Sequence, residues 1–168
     1  MPIPTAAQRG RRARRGVRAA LAVAVVAGAA ALTGCAPTVS LDPAPAAADP
    51  ECAAIMVRLP GTVAGADRRD TDAQSTAAWG SPASVLLHCG VPVPGPTTQR
   101  CISIDDVDWV EDATDEPIYT YTTYGRDPAT EVTIDSTLIS ASTVLTELTP
   151  AVGSVPAEGG CVGAEDVG

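Results

Sequence analysis

The chain has 168 residues, with 20 acidic residues against 11 arginines and no lysine, so its formal net charge is −9. Aromatic residues make up only 3% of the chain, and phenylalanine is absent. This charge disfavours a nucleic-acid partner, because such binding gains its free energy from Lys and Arg displacing counterions from phosphates. The length allows one small globular domain with an appendage.

The arginines are concentrated at the start of the chain. Six of the eleven precede residue 19, and no acidic residue precedes Asp42. An uncharged apolar run follows from Ala19 to Leu32; as a helix it spans roughly 21 Å, short of the ~30 Å hydrocarbon core. This order is typical of a secretory signal peptide, which we predict over residues 1–34.

The segment Leu32-Thr33-Gly34-Cys35 resembles the lipobox of bacterial lipoproteins. In that family the cysteine receives a diacylglyceryl group and the chain is cut before it. The resemblance implies an anchor of two acyl chains, palmitate among them, on Cys35, which is enough for stable membrane attachment. The alternatives are an uncleaved anchor helix or an ordinary secretory signal, and Arg14-Arg15 leaves twin-arginine export open beside the Sec route.

Processing would change the charge of the protein. It would leave five arginines against twenty acidic residues, a net charge of −15; anionic membranes and wall polymers repel a body of this sign.

Residues 35–48 contain three prolines and no hydrophobic periodicity. We predict that this segment adopts the polyproline II conformation and forms a tether, which holds the domain up to ~40 Å from the bilayer.

Residues 49–150 carry the signals of a globular α+β domain. Asp49-Pro50-Glu51 is a helix start, because Asp can cap free N–H groups and Pro suits the first helical position. Apolar residues then recur at helical spacing until Pro60-Gly61 ends the predicted helix. These residues are Cys52, Ile55, Met56 and Leu59.

The periodicity changes to two from Ala77 onward, which predicts strands. The strand signals lie at Val85–Cys89, Ile102–Ile104, Ile118–Tyr124 and Val132–Ile134, with loops at Gly90–Gly95 and Glu111–Pro117. A second helix is predicted by the stripe Leu138, Ala141, Leu145 and Leu148, behind the possible caps Asp135 and Ser136 and before Pro150. This order predicts an antiparallel sheet of four or five strands with two helices packed on one face.

Residues 151–168 have the small, acidic composition of a loose tail, and they contain the last of the cysteines. The four cysteines beyond the lipobox are Cys52, Cys89, Cys101 and Cys161. An even number in an exported chain predicts two disulfides, in any of three pairings. We prefer Cys52 with Cys89 and Cys101 with Cys161, and the rival joins Cys89 to Cys101. Zinc is disfavoured, because the chain has no CxxC pair and one histidine.

The sequence predicts no enzyme and no cofactor. Any Ser-His-Asp triad would have to use His88, and no Gly-x-Ser-x-Gly elbow accompanies it; we interpret His88 as a strand-face residue. No phosphate loop, Rossmann fingerprint or HExxH motif occurs. A hydrolase using acids such as Asp105 and Asp108 is the least favoured hypothesis.

Seven acidic residues crowd into residues 105–116. Oxygen ligands at this density could bind Ca²⁺, but the alternating run of a calcium loop is missing, and a solvated acidic hairpin is the other interpretation.

Trp79 and Trp109 lie next to strand signals. They are predicted to pack in the core, with a partner-facing hot spot as the alternative.

Several short motifs occur in an order and spacing that resemble one family. They are Cys52, Leu59-Pro60, Ala78-Trp79-Gly80 with Pro82, Val85 to Pro92, Val107-Asp108-Trp109, Thr122 to Arg126 and Glu131 to Ile134. From about Cys52 to Leu148 the chain is similar to actinobacterial envelope proteins called "domain of unknown function 3515". In that family the first cysteine and the Cys-Gly-Val cysteine recur together, which supports pairing Cys52 with Cys89. The family usually has Arg at the position of His88.

The predicted function is that of a lipoprotein on the extracytoplasmic face of the cell membrane. We expect it to present a non-enzymatic domain to a protein partner in the envelope. The alternative is a small-ligand or Ca²⁺-binding module that uses the acidic loop 105–116.

Overall fold

A computed structural model describes residues 37–161, which form one eight-stranded antiparallel sheet and two helices. The helices are α1 (Pro50–Met56) and α2 (Ala141–Val152). The strands are β1 (Thr62–Val63), β2 (Ala66–Arg69), β3 (Thr76–Trp79), β4 (Val85–Val91), β5 (Arg100–Ile104), β6 (Val107–Asp112), β7 (Ile118–Thr123) and β8 (Ala129–Asp135). Their order in the sheet is β1-β2-β3-β4-β8-β7-β6-β5.

The α+β class is confirmed, but the predicted count of four or five strands is wrong. Strands β1 and β2 have two and four residues, too few to show alternation in the sequence. Strand β6 extends into the predicted loop Glu111–Pro117, since Glu111 pairs with Arg100 on β5 and with Tyr121 on β7. The sequence predicts a loop at the end of this strand, because its residues are acidic and few apolar residues lie beside them.

Alternation along the strands gives the sheet an apolar inner face and a polar outer face. Leu87, Val132 and Tyr121 lie side by side across β4, β8 and β7, and all three are buried on the inner face. Both helices contribute to the same core: Ile55 of α1 and Leu148 of α2 are fully buried in it. The described helices therefore pack on one face, as the sequence predicts.

Helix α2 lies within the curve of the sheet. It contacts both β1 and β5, the two edge strands, which requires the sheet to bend around it. The helix starts later than predicted: Ser140, and neither Asp135 nor Ser136, is the N-cap, and Leu138 lies outside the helix with 59% of its surface exposed. The helix also continues past Pro150, because burial of Ala151 and Val152 outweighs the backbone hydrogen bond lost at proline.

Helix α1 begins as predicted and ends early. The Asp49 carboxylate accepts a hydrogen bond from the Glu51 amide at 2.8 Å, and Pro50 occupies the first turn. The helix ends at Met56, so Leu59 lies beyond it, although Leu59 is still buried. The helical spacing of apolar residues thus correctly predicts that Leu59 is buried, but it predicts a longer helix than the structure has.

Both predicted disulfides are present. Cys52 on α1 is joined to Cys89 on β4, with Cα atoms 5.6 Å apart, and both residues are fully buried. Cys101 on β5 is joined to Cys161, with Cα atoms 6.1 Å apart. The first bond fastens α1 to the centre of the sheet, and the second fastens the C-terminal segment to its edge.

Arg126 is buried where the end of α2 meets the sheet. Its guanidinium donates hydrogen bonds to the carbonyl oxygens of Gly153, Val155 and Asp106. Among residues 37–161 no carboxylate lies within ion-pair distance of it. The cation instead meets the negative end of the helix dipole, and it links α2 to the turn between β5 and β6.

Replacement of this cation should destabilise the fold. We expect Arg126→Ala to lower the free energy of unfolding by about 2–4 kcal/mol, because it leaves buried carbonyl oxygens without donors. Arg58→Ala is the matched control, since Arg58 is exposed and donates to one carbonyl, that of Ala54 in α1. Urea unfolding measures both, and equal values for the two variants would contradict this role of Arg126.

The disulfides should contribute comparable amounts. The bonds span 37 and 60 residues, so each should stabilise the fold by about 4 kcal/mol in the chain-entropy model. We expect Cys52→Ala/Cys89→Ala to cost more than Cys101→Ala/Cys161→Ala, because only the first pair also removes fully buried sulfur atoms. Urea unfolding of the two double variants tests this order, which the reverse ranking would refute.

Candidate functional site: the outer face of the sheet

The predicted lipidation site, Cys35, and the leader lie outside the described residues. Within residues 37–161, no helix is both long and apolar enough to cross a membrane.

The acidic segment 105–116 is distributed over both faces and both ends of strand β6. Asp105 and Asp106 are exposed in the turn between β5 and β6. Asp108, on the outer face, accepts hydrogen bonds from the Ser103 hydroxyl and from the Cys161 amide. Asp112 accepts from the Thr114 hydroxyl and amide, which hold the pKa of Asp112 below its usual value.

Asp108 and Asp112 therefore bind different groups of the protein at different ends of β6. In the described chain, no three side chains of His, Cys, Asp or Glu converge in a way that could hold a metal ion. The acidic segment forms the β5–β6 turn, strand β6 and the β6–β7 turn of two antiparallel hairpins, so the carboxylates on β6 alternate between the two faces of the sheet.

A polar cluster that no sequence motif indicates lies on the inner face at the β5–β7 end. Arg100 forms an ion pair with Glu111 at 3.1 Å. The Tyr119 and Tyr121 rings stack beside them, with centroids 6.4 Å apart. Burial and then the charge of Glu111 raise the pKa of Tyr121 to about 12, and a hydrogen bond with Glu116 raises the pKa of Tyr119. Both phenols stay protonated at neutral pH, so the cluster can donate hydrogen bonds.

Both tryptophans belong to the core. Trp79 and Trp109 are fully buried, and the Trp79 indole donates to the Pro60 carbonyl at 3.2 Å. The alternative interpretation of a partner-facing hot spot is wrong for both residues. Trp79 lies on β3, which is buried at all four positions, whereas Trp109 lies on β6, which also has less buried positions.

The outer face of the central strands is polar and free of the described helices. His88 on β4 lies directly opposite Glu131 on β8, and Glu131 lies opposite Thr122 on β7. The next row places Leu86, Thr133 and Thr120 side by side. All six side chains are half-buried, the exposure expected of neighbours on an open sheet.

This face contains an unsatisfied buried atom. His88 lies on a strand face, as predicted, and its Nδ1 atom is buried without a hydrogen-bond partner within residues 37–161. Buried polar atoms normally have partners, because an unmade hydrogen bond costs free energy. Trp109 Nε1, Arg126 Nε and Thr130 Oγ1 are in the same state, but of these four residues only His88 belongs to the row on the outer face.

The described C-terminal segment, up to Cys161, reaches the outer face at the β5–β6 end. Ala157 pairs with Arg126, and the Cys161 amide reaches the Asp108 carboxylate at 2.7 Å. Asp108 and Cys101 both belong to the outer face by register. The row around His88 and Glu131 lies on β4 and β8, in the middle of the sheet, and it forms our candidate interaction surface.

Comparison with other proteins places the chain in a family. Searches among curated proteins and among solved structures give no match. The family described as "Protein of unknown function (DUF3515)" matches residues 16–159, which is most of the chain. The protein is a member of the DUF3515 family.

Proposed function

We propose that this protein is an envelope lipoprotein of actinobacterial type that binds another protein through the outer face of its sheet. Residues 1–34 are the leader that is removed, and Cys35 carries the diacylglyceryl anchor on the outer side of the cytoplasmic membrane. The domain acts by binding and not by catalysis.

The two disulfides support the location. All four cysteines within residues 37–161 are joined in pairs, and disulfides persist in oxidising compartments such as the cell surface. Export through a leader with a lipobox would take the chain to such a compartment.

The outer face supports binding to a large partner. One observation carries this proposal: the half-buried row of His88, Glu131 and Thr122 lies on the convex face, away from the described helices, and includes the unsatisfied Nδ1 atom. Small-molecule sites are usually concave, whereas open faces with a few polar groups suit protein partners.

The charge of the domain indicates the chemistry of that partner. Glu131, Asp112 and Asp135 all belong to the outer face by register, and the mature chain carries −15. Electrostatic complementarity therefore favours a protein with a basic contact surface. Such an interaction weakens as salt concentration rises.

The lipid anchor can be tested by intact mass measurement of the native protein. We expect a chain that begins at Cys35 and carries a diacylglyceryl group, recovered in the membrane fraction. Cys35→Ser should keep the leader and lose the lipid, whereas Thr33→Ser, which keeps a small residue in the lipobox, should be processed normally. An unmodified Cys35 thiol in the native protein would refute the anchor.

The interaction surface can be tested by photocrosslinking in cells that naturally make the protein. A photoreactive amino acid at Thr122, on the outer face, should give a discrete crosslinked species, and one at Thr143, on the exposed side of α2, should not. Glu131→Arg should abolish the Thr122 product, since it reverses the charge that attracts a basic partner.

Glu158→Arg is the matched control for charge reversal, because the Glu158 side chain is exposed and away from the row. It should leave the Thr122 product unchanged. Equal products from Thr122 and Thr143, or loss of the product in both charge variants, would argue against the outer face as the binding surface.

A further inference from the structure

Residues 37–48, the described part of the predicted tether, lie along the domain and are hydrogen-bonded to it. The Val39 amide donates to the Asp70 carbonyl at 2.9 Å, and Val39 forms a parallel bridge with Thr71. The Pro37 carbonyl accepts from the Arg69 guanidinium. This segment, which we call the strap, lies beside the residues that directly follow β2. We call this side of the sheet, formed by β1, β2 and the strap, the β2 edge.

One carboxylate fastens the middle of the strap. Asp72 accepts from the Ser40 hydroxyl at 2.8 Å and from the Leu41 amide at 2.9 Å. The Leu41 amide and then the Ser40 hydroxyl hold the pKa of Asp72 below its ordinary value. Asp72 is thus ionised at neutral pH, where both hydrogen bonds have a charged acceptor.

The second half of the strap is packed closely against the domain. The Ala46 amide donates to the Gly90 carbonyl at 2.9 Å, and the Ser75 hydroxyl donates to the Ala47 carbonyl at 2.6 Å. Ala47 is buried. Gly90 has a φ of +92°, and a Cβ atom there would overlap the Ala46 backbone, so the fit requires glycine.

The docked strap shortens the link between the lipid and the domain. Cys35 is two peptide units from Pro37, which limits the distance between their Cα atoms to about 8 Å. A free linker of residues 35–48 would instead allow up to ~40 Å. Lipidation of Cys35 would therefore place Pro37 and its neighbours close to the headgroups.

The position of Pro37 selects which part of the domain lies closest to the bilayer. Arg69, which binds the Pro37 carbonyl, also donates to the Gly80 carbonyl at 2.8 Å. The attachment point is thus beside β2 and the turn between β3 and β4. Seven acids of residues 105–116 lie around β6 and its two turns, towards the opposite side of the sheet.

The charge distribution agrees with this placement. Residues 67–72 hold Arg68 and Arg69 together with three aspartates, one of which is the Asp72 bound to the strap. Anionic lipids attract arginine and repel carboxylates. The domain therefore has lower electrostatic energy with the β2 edge towards the membrane than with the acidic end towards it.

We propose that the strap holds the domain against the bilayer in one orientation, with the β2 edge facing the lipid headgroups and the acidic β5–β7 end facing away. This inference rests on the proposed lipidation of Cys35. The partner of the β2 edge is a lipid surface, and the outer face of the sheet stands roughly upright beside it, accessible to a protein partner.

The test uses the native lipoprotein in vesicles of phosphatidylglycerol and phosphatidylcholine that carry a headgroup quencher. A fluorescent amino acid is placed at Ser81, next to Gly80, or at Asp115, in the β6–β7 turn. We expect several-fold stronger quenching at Ser81 than at Asp115. Equal quenching at the two positions would overturn the orientation.

Two variants test whether the docked strap, and not only the closeness of Ser81 to the anchor, causes the difference in quenching. A Gly-Ser insertion of about ten residues between Ala36 and Pro37 should remove the difference between the two probes, because it restores a long linker. Asp72→Ala should reduce the difference by loosening the strap. Asp70→Ala is its matched control, since Asp70 holds Val39 through its backbone carbonyl. A difference that survives both the insertion and Asp72→Ala would overturn the role of the strap.

Co-flotation with the vesicles, measured on each sample, separates this inference from the proposed function. Protein that does not float has no lipid anchor, and the proposed function then fails together with its orientation. Protein that floats but shows equal quenching at Ser81 and Asp115 keeps its anchor and contradicts only the strap.

Discussion

The structure depends on the packing of α2 into the concave inner face of the sheet. The helix buries Val144, Leu145 and Leu148 against strands from the whole width of the sheet, and it reaches both edge strands. A chain with two tryptophans and no phenylalanine builds this core mainly from aliphatic side chains. Because this helix covers the concave face, the opposite face of the sheet remains outside the core and carries polar residues.

The ends of the chain secure this arrangement. Arg126 fixes the end of α2 to the β5–β6 turn, and the Cys101–Cys161 bond fastens the following segment to β5. At the other edge the strap lies beside the residues that directly follow β2. Edge strands invite pairing with other chains; here each edge lies next to a segment that comes from one end of the described chain.

Lipid attachment and the fold together give the proposed lipoprotein a defined geometry. In the proposed orientation, the strap docked through Asp72 and Gly90 would bring the β2 edge to the bilayer, and the acidic strands around Glu111 would point away. The row of His88 and Glu131 lies between these two ends. A partner with a basic surface can then approach from the side, where neither the membrane nor the helices cover the sheet.

The sequence by itself determined the leader pattern, the α+β class, the presence of two disulfides and the start of α1. Each of these follows from a local pattern of residues or from the number of cysteines. It did not determine β1, β2 or the strand character of Asp108 to Asp112, since strands this short or this acidic show no clear period of two. Only the tertiary structure decided that residues 37–48 dock, that Arg126 is buried, and that His88 faces Glu131. These features depend on contacts between residues far apart in the chain, and local patterns carry no information about which distant segment a residue will meet.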